Sequence, residues 1–386
     1  MNSTEFRSHF PIFQDGVHLC SCSEGALSDR VIVAMSEFMT SWRIHAAPWE
    51  YWMGEVDKAR AAFARLINAN PDDIAAVSCA SEAAFQVAWA QEYRERPAIV
   101  TNDLEFPSIA HVWLGQQQRG AHVRFVGHRR GLIEAQDYIE AIDETTRLVS
   151  VPLVSYANGL RLPMEPIITR AHQAGARVVI DAYQGAGIVP IDVQTMGCDY
   201  LIAGTLKYLL GAPGIAFLWV RPGLEHPRDP VLTGWFGRKE PFAFTPKVLD
   251  YNATARRFQT GTPAIPAAFA ASAGLSLINE ISVAKAFHHV EALAQRAQDA
   301  LSEQGWQFFS PADPQYRGPQ VTIHAEDAER IAAHLSSQRI FVSPRGDAVR
   351  ISLHFYNNQE DIDRVVDALR SYRRQGTRDQ EGGEEV

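Results

Sequence analysis

The sequence predicts an α/β protein: a large domain built on a mostly parallel sheet with helices on both faces, followed by a smaller α+β domain. Three observations carry this. Between Ile74 and Val220 short apolar runs alternate with stretches of helical periodicity, the pattern of repeated strand–helix–strand units. Beyond Ala267 a long helical pattern gives way to strands and helices in mixed order. The chain has 386 residues, and with roughly 100–200 residues per domain as the usual scale, two domains are expected. The boundaries are drawn at 20–252 for the large domain and 253–373 for the small one, with the N-terminal arm 1–19 assigned to the latter. The tail 374–386, acidic at its end and almost without apolar residues to bury, is expected to be disordered.

Each element has its own signal. After an extended arm, a helix is expected from Trp42 to Leu66, broken by Asn68-Ala-Asn-Pro-Asp-Asp73. A buried strand from Ile74 runs into the small-residue turn Cys79-Ala-Ser81-Glu82, which opens a helix ending near Glu92. Such a turn lets backbone N–H groups and a hydroxyl approach a phosphate at the positive helix end, although Ser81 reads equally well as a plain helix cap. Strands then fall at 98–101, 122–126, 148–154 and 177–180, separated by helices near 108–118, 132–142 and 164–174. In the stretch from Asp199 to Val220, two apolar strands flank Lys207 and a Gly/Pro turn. Past Pro222 the chain is loop-rich as far as Asn252 and carries Gly234-Trp235-Phe236-Gly237, read as an aromatic binding mouth, before Arg256-Arg-Phe-Gln-Thr-Gly261-Thr262-Pro263. A long helix is expected from Ala267 to Gly305, followed by 306–309, 320–324, 327–337, 339–343, 349–354 and 359–372 in strand and helix alternation.

Composition excludes several functions. With 46% hydrophobic and 21% charged residues and no apolar run of the roughly 18 residues that a membrane helix needs, no membrane association is expected. A net charge of −9 without a basic cluster excludes a nucleic-acid surface. The N-terminus lacks a basic start and apolar block, and Cys20, Cys22, Cys79 and Cys198 lack metal spacing. A cytoplasmic protein with reduced thiols is expected. His288-His289 has no ligating partner pattern, so no metal is predicted. Gly-x-Gly-x-x-Gly after the first strand and Gly-x-Ser-x-Gly are both missing, which disfavours a dinucleotide enzyme and a serine hydrolase.

What remains is a set of chemically capable residues at strand ends. Ligands of parallel sheets sit at the carboxyl ends of strands, where Ser81, Asn158, Asp181 and Lys207 fall. An amine at the end of a buried strand loses hydration and is shifted toward the neutral form that makes Schiff bases with carbonyl compounds. The apolar run Ala176-Arg-Val-Val-Ile-Asp181-Ala-Tyr-Gln184 places an acid upstream of it.

In these motifs the chain resembles the class V aminotransferase family, fold-type I enzymes dependent on pyridoxal 5'-phosphate (PLP), over nearly its whole length. The resemblance implies the aspartate aminotransferase-like fold. Asp181-Ala-Tyr-Gln184 is similar to the family's Asp-x-x-Gln, whose carboxylate pairs with the pyridine nitrogen, and Lys207 stands as the lysine that carries the cofactor. Ser81 and Glu82 match the phosphate-binding turn, with Thr205 as a further phosphate or ring contact. Phe106 stands where the family stacks an aromatic or His on the pyridine, and a core Phe is the alternative. Asn158 matches the Asn on the cofactor's phenolic oxygen. Gly261 and Thr262 resemble the segment that reaches the phosphate from a neighbouring subunit, which implies a homodimer with shared sites. Arg350 matches the arginine that forks onto the substrate α-carboxylate, with a structural salt bridge as the alternative.

Within the family, lyases acting on cysteine or selenocysteine usually carry a His before the lysine, and desulfurases a Cys on a late loop. Here Leu206 precedes Lys207 and no Cys follows Cys198, which disfavours persulfide chemistry. Phe106-Pro107, the Trp235 loop and the 256–263 run look most like kynureninases, implying a β-side lyase of an L-amino acid with Trp235 near the substrate. Leu206 and Arg238 depart from that branch, where a Tyr and a His are usual. An aminotransferase, an epimerase similar to isopenicillin N epimerase and, more remotely, a non-catalytic PLP-binding sensor stay open.

Overall fold

The computed structural model describes residues 1–381, with side chains as far as Arg374. Its strands in chain order are β1 (Val17–His18), β2 (Ile74–Val77), β3 (Ala98–Asn102), β4 (His122–Val126), β5 (Thr146–Pro152), β6 (Arg177–Asp181), β7 (Tyr200–Gly204), β8 (Ala216–Val220), β9 (Gln320–His324), β10 (Ile340–Phe341), β11 (Ser343–Arg345) and β12 (Ala348–Ser352). Seven of them form one sheet in the order β2-β8-β7-β6-β5-β3-β4. The neighbours β4, β3, β5, β6 and β7 pair in parallel, because helices carry the chain back between them. Only the short turn after Lys207 links β7 to β8, so β8 runs antiparallel to β7 and also to β2.

The inner strands are near-continuous apolar runs because both faces of the sheet are covered: every residue of β3, β7 and β8 is buried. One face holds the helices α4 (Ala80–Trp89) and α5 (Pro107–Gly115), packed around Val87, Trp113 and Leu218. The other holds α6 (Ala135–Ala141), α7 (Met164–Gln173) and α8 (Val193–Met196) in a larger core that continues into the C-terminal domain. There the antiparallel sheet β11-β12-β9 packs with α10 (Val283–Glu303), α11 (Ala328–Ser337) and α12 (Gln359–Glu381). The chain leaves β3 for the edge strand β4 and returns to place β5 on the other side of β3. That reversal opens a crevice at the carboxyl ends of the strands.

Several elements differ from expectation. The arm is not simply extended: it forms α1 (Ser3–Arg7), closed by a capping box between Asn2 and Glu5, then pairs β1 in parallel with β10. The expected helix from Trp42 to Leu66 is two helices, α2 (Asp29–His45) and α3 (Trp49–Leu66), separated at Ala46, which has φ 58°, and at Pro48. Likewise the helix expected from Ala267 to Gly305 is α9 (Ile265–Asn279), which packs on α2 and α3, and α10, turned by 83° and capped by Ser282. No strand forms at 306–309, where only Phe308 bridges to Ile323. Helix α12 continues to Glu381, into the segment assigned to disorder; its polar residues include good helix formers that extend a helix already docked. Residues 382–386 lie outside the described residues. Among the described residues no single helix is long and apolar enough to cross a membrane.

Candidate active site

Lys207 follows β7 in a turn that the sequence ties down. Thr205 donates its hydroxyl to the carbonyls of Ala212 (2.8 Å) and Ile215 (3.2 Å), and Gly211 N–H closes onto Thr205 O at 2.8 Å. The N-terminal segment clamps the same turn, with Gly25 N–H donating to Leu206 O at 2.8 Å. Lys207 thereby projects into a cavity of about 330 Å³ at the strand ends. Its ammonium lies 4.7 Å from the centroid of the Tyr183 ring and 5.4 Å from that of Phe106. Burial lowers its pKa to about 8, against the opposing pull of Cys22 and Asp181.

The floor of the cavity is acidic. Asp181, at the end of β6, accepts the Tyr183 N–H at 2.8 Å. Glu105, just past β3, accepts from the Phe106 N–H at 2.8 Å and from the Ser150 hydroxyl at 3.2 Å. Both carboxyls are pushed upward, chiefly by burial and, for Glu105, also by Asp181 beside it. Gln184 donates to Cys22 O at 3.1 Å while its Oε1 is buried without a partner. At one wall, α4 begins at Cys79 with no side-chain cap, and Cys79, Ala80 and Ser81 line the cavity. The first-turn N–H groups of a helix have no partner inside it, so this wall presents donors of the kind that suit an anion. Arg350, buried on β12, also lines the cavity; it donates to Tyr156 O at 2.9 Å and to the Ser23 hydroxyl at 3.2 Å, leaving Nε without a partner.

Lys207, Asp181, Gln184, Phe106, Ser81 and Arg350 are thus brought together. The other expected residues are not. Asn158 is buried behind the wall, its amide donating to the carbonyls of Gly131 and Phe309 and accepting from Leu160 N–H. Those buried backbone groups need it, and Tyr156, edge-on to Phe106 at 5.1 Å, lines the cavity instead. Thr205 spends its hydroxyl on the Lys207 turn. Glu82 turns its carboxylate back to Ser78 N–H at 2.8 Å and to the Thr260 hydroxyl at 3.1 Å, where it braces the helix start and leaves the cavity free of a charge that would repel phosphate. Gly261 and Thr262 are exposed around a separate small hollow with Ser78 and Glu82. Trp235 packs with Phe236, Phe242 and Phe244 in a loop cluster away from Lys207. Sequence reasoning missed Glu105, Tyr156, Tyr183 and Arg345, all of which line the cavity. The one available signal was Glu105, an acid set between an apolar strand and a helix start.

The donor set fits PLP: an amine for the aldehyde, a buried acid for the ring nitrogen, an open helix start for the phosphate and an aromatic ring beside them. A seven-stranded, mostly parallel sheet carrying Asp181 and Lys207 at adjacent strand ends defines a fold-type I PLP-dependent enzyme. More narrowly, the chain belongs to the class V aminotransferase family, whose model matches residues 25–365. It is 35% identical over 365 residues to an uncharacterized aminotransferase, YcbU, of Bacillus subtilis (strain 168), covering 95% of this chain and 96% of that protein. It is 25% identical over 391 residues to a kynureninase of Geobacillus thermodenitrificans (strain NG80-2), covering 95% and 90% of the two chains. The fold matches that of a cysteine desulfurase from Thermococcus onnurineus NA1 with a TM-score of 0.86 at 22% identity, over 95% of this chain and 97% of that one.

Proposed function

We propose that this PLP-dependent enzyme is a β-side lyase of an L-amino acid, with Lys207 as the cofactor lysine and the base at the α-carbon. When bound, PLP supplies the electron sink for negative charge at that carbon. The chain's own residues supply the rest. Asp181 holds a positive charge on the ring nitrogen, Arg350 holds the α-carboxylate, and Lys207 takes and returns the α-proton, its amine partly neutral near neutral pH because burial lowers its pKa to about 8. The observation that carries the reading is the meeting of Lys207, Asp181 and Arg350 around one cavity. Similarity to kynureninases supports cleavage beyond the β-carbon. Similarity to YcbU favours transamination as the second reading.

A panel of amino acids, including kynurenines and cysteine S-conjugates, separates the two. Alanine or pyruvate with a released side-chain fragment is the expected result. Stoichiometric conversion of the cofactor to its amine form, reversed by a second keto acid, would establish transamination.

A homodimer belongs to the same proposal. Helix α2 exposes Ile32, Val33, Met39, Trp42 and Ile44, and the loop near Trp235 exposes Phe242 and Phe244, large apolar side chains of the kind that mark a protein–protein contact. A second copy would cover these faces and bring the exposed Gly261 and Thr262, with the Trp235 loop, to its neighbour's site. A cytoplasmic location is proposed with it, consistent with unpaired thiols at Cys20, Cys22, Cys79 and Cys198.

A further inference from the structure

Arg350 is not the only guanidinium at the cavity. Arg345 lines it as well, and its charge, like that of Arg350, bears on Lys207. The two arginines belong to one antiparallel hairpin in which Ser343 faces Arg350 and Arg345 faces Ala348. Alternation along a strand therefore sets Ser343, Arg345, Ala348 and Arg350 on one face of the hairpin, with Arg345 diagonal to Arg350 at roughly 7–8 Å between backbones. The deep end of that face is occupied: Arg350 is buried, and the Ser23 hydroxyl links it to Ser343 at 3.2 and 2.8 Å. The outer end is different. The Arg345 side chain is exposed, and its guanidinium has no hydrogen bond or ion pair with any described residue.

Arg350 suffices for one α-carboxylate, and the open start of α4, which also lines the cavity, suits the cofactor phosphate. A second cation beside Arg350 is surplus to a substrate whose only anion is its α-carboxylate. The carboxyls on the floor, Asp181 and Glu105, are buried and committed to Tyr183, Phe106 and Ser150, so neither serves as its partner.

We propose that Arg345 is a specificity-determining residue that binds an anionic group on the substrate side chain, so that the enzyme prefers L-amino acids ending in a carboxylate, sulfinate or sulfonate. This rests on the reading of the cavity as an amino-acid site, but not on the choice between lyase and aminotransferase. A planar guanidinium fork at the exposed end of the hairpin suits such a group, and a charge-assisted hydrogen bond is the stronger kind.

The test titrates the holoenzyme with aspartate, glutamate, cysteine sulfinate, alanine and methionine, following the cofactor absorbance, in the parent and in Arg345→Gln and Arg345→Lys. The parent should bind the anionic members more tightly than alanine and methionine. Arg345→Gln should weaken the anionic members by about 10–100-fold, and the neutral ones by less than about 3-fold, with partial recovery in Arg345→Lys. Equal affinity for anionic and neutral amino acids in the parent would overturn the proposal while leaving the amino-acid site standing. A uniform loss across the panel in Arg345→Gln, together with weaker PLP retention, would assign Arg345 to the cofactor phosphate and also overturn it. A cofactor band that responds to no amino acid would overturn the enzyme reading and this proposal together.

Discussion

Whereas Arg350 was reached through the family resemblance of its motif, Lys207 and Asp181 were legible as charges at the ends of apolar runs, where burial is costly unless the charge is used. Glu105 is the same kind of residue, yet its neighbour Phe106 drew the functional reading. Its energetics can be measured. In the cofactor-free protein its pKa is raised from 4.5 to about 8, chiefly by burial and then by Asp181. Between those values the unfolded chain has lost a proton that the folded chain keeps, so stability falls as pH rises from 4.5 to 8 and then levels; Asp181, also raised, acts in the same direction. Lys207, lowered from 10.5 to about 8, acts oppositely and restores stability above pH 8. Urea unfolding of the cofactor-free protein at pH 5 and pH 8 should show a drop that is smaller in Glu105→Gln by on the order of 1–3 kcal/mol. Equal drops in parent and variant would mean that Glu105 is ionised in the fold. Side-chain direction limited the rest of the residue-level reading. Asn158 and Tyr156 both follow β5, and nothing in their spacing reveals which one faces the cavity and which supports the carbonyls of Gly131 and Phe309.

At the scale of elements, the parallel sheet was legible because its buried strands are short apolar runs separated by helices of ordinary length. The pair α2 and α3 was not, since α2 turns Ile32, Val33, Met39, Trp42 and Ile44 outward and so blurs the apolar stripe that marks a helix. The segment before α2 also has a role that composition does not show. Gly25 sits so close to the Lys207 turn that a Cβ there would overlap the Lys207 carbonyl oxygen and crowd Leu210. Gly25→Val should therefore displace that turn, lowering PLP occupancy and activity at least about 10-fold, an effect of roughly 1.4 kcal/mol or more, while the far-UV circular dichroism stays that of a folded α/β protein. Full occupancy in a folded variant would show that the segment yields without moving Lys207.

For the whole molecule, the shared-site dimer makes a sharp demand, because Lys207 and Thr262 would serve each site from different chains. Lys207→Ala and Thr262→Arg subunits, each inactive alone, should regain about a quarter of parental activity when mixed and exchanged, as one of two sites in half the dimers is intact. A monomer in sedimentation, with no recovery on mixing, would contradict this. The central claim, that one buried amine organises the protein's chemistry, has a more direct measurement. Borohydride reduction of the PLP-loaded protein, followed by peptide mapping, should place a single pyridoxyl group on Lys207 and none on Lys207→Ala. Label on another lysine, or a protein that cannot be loaded with PLP, would contradict it.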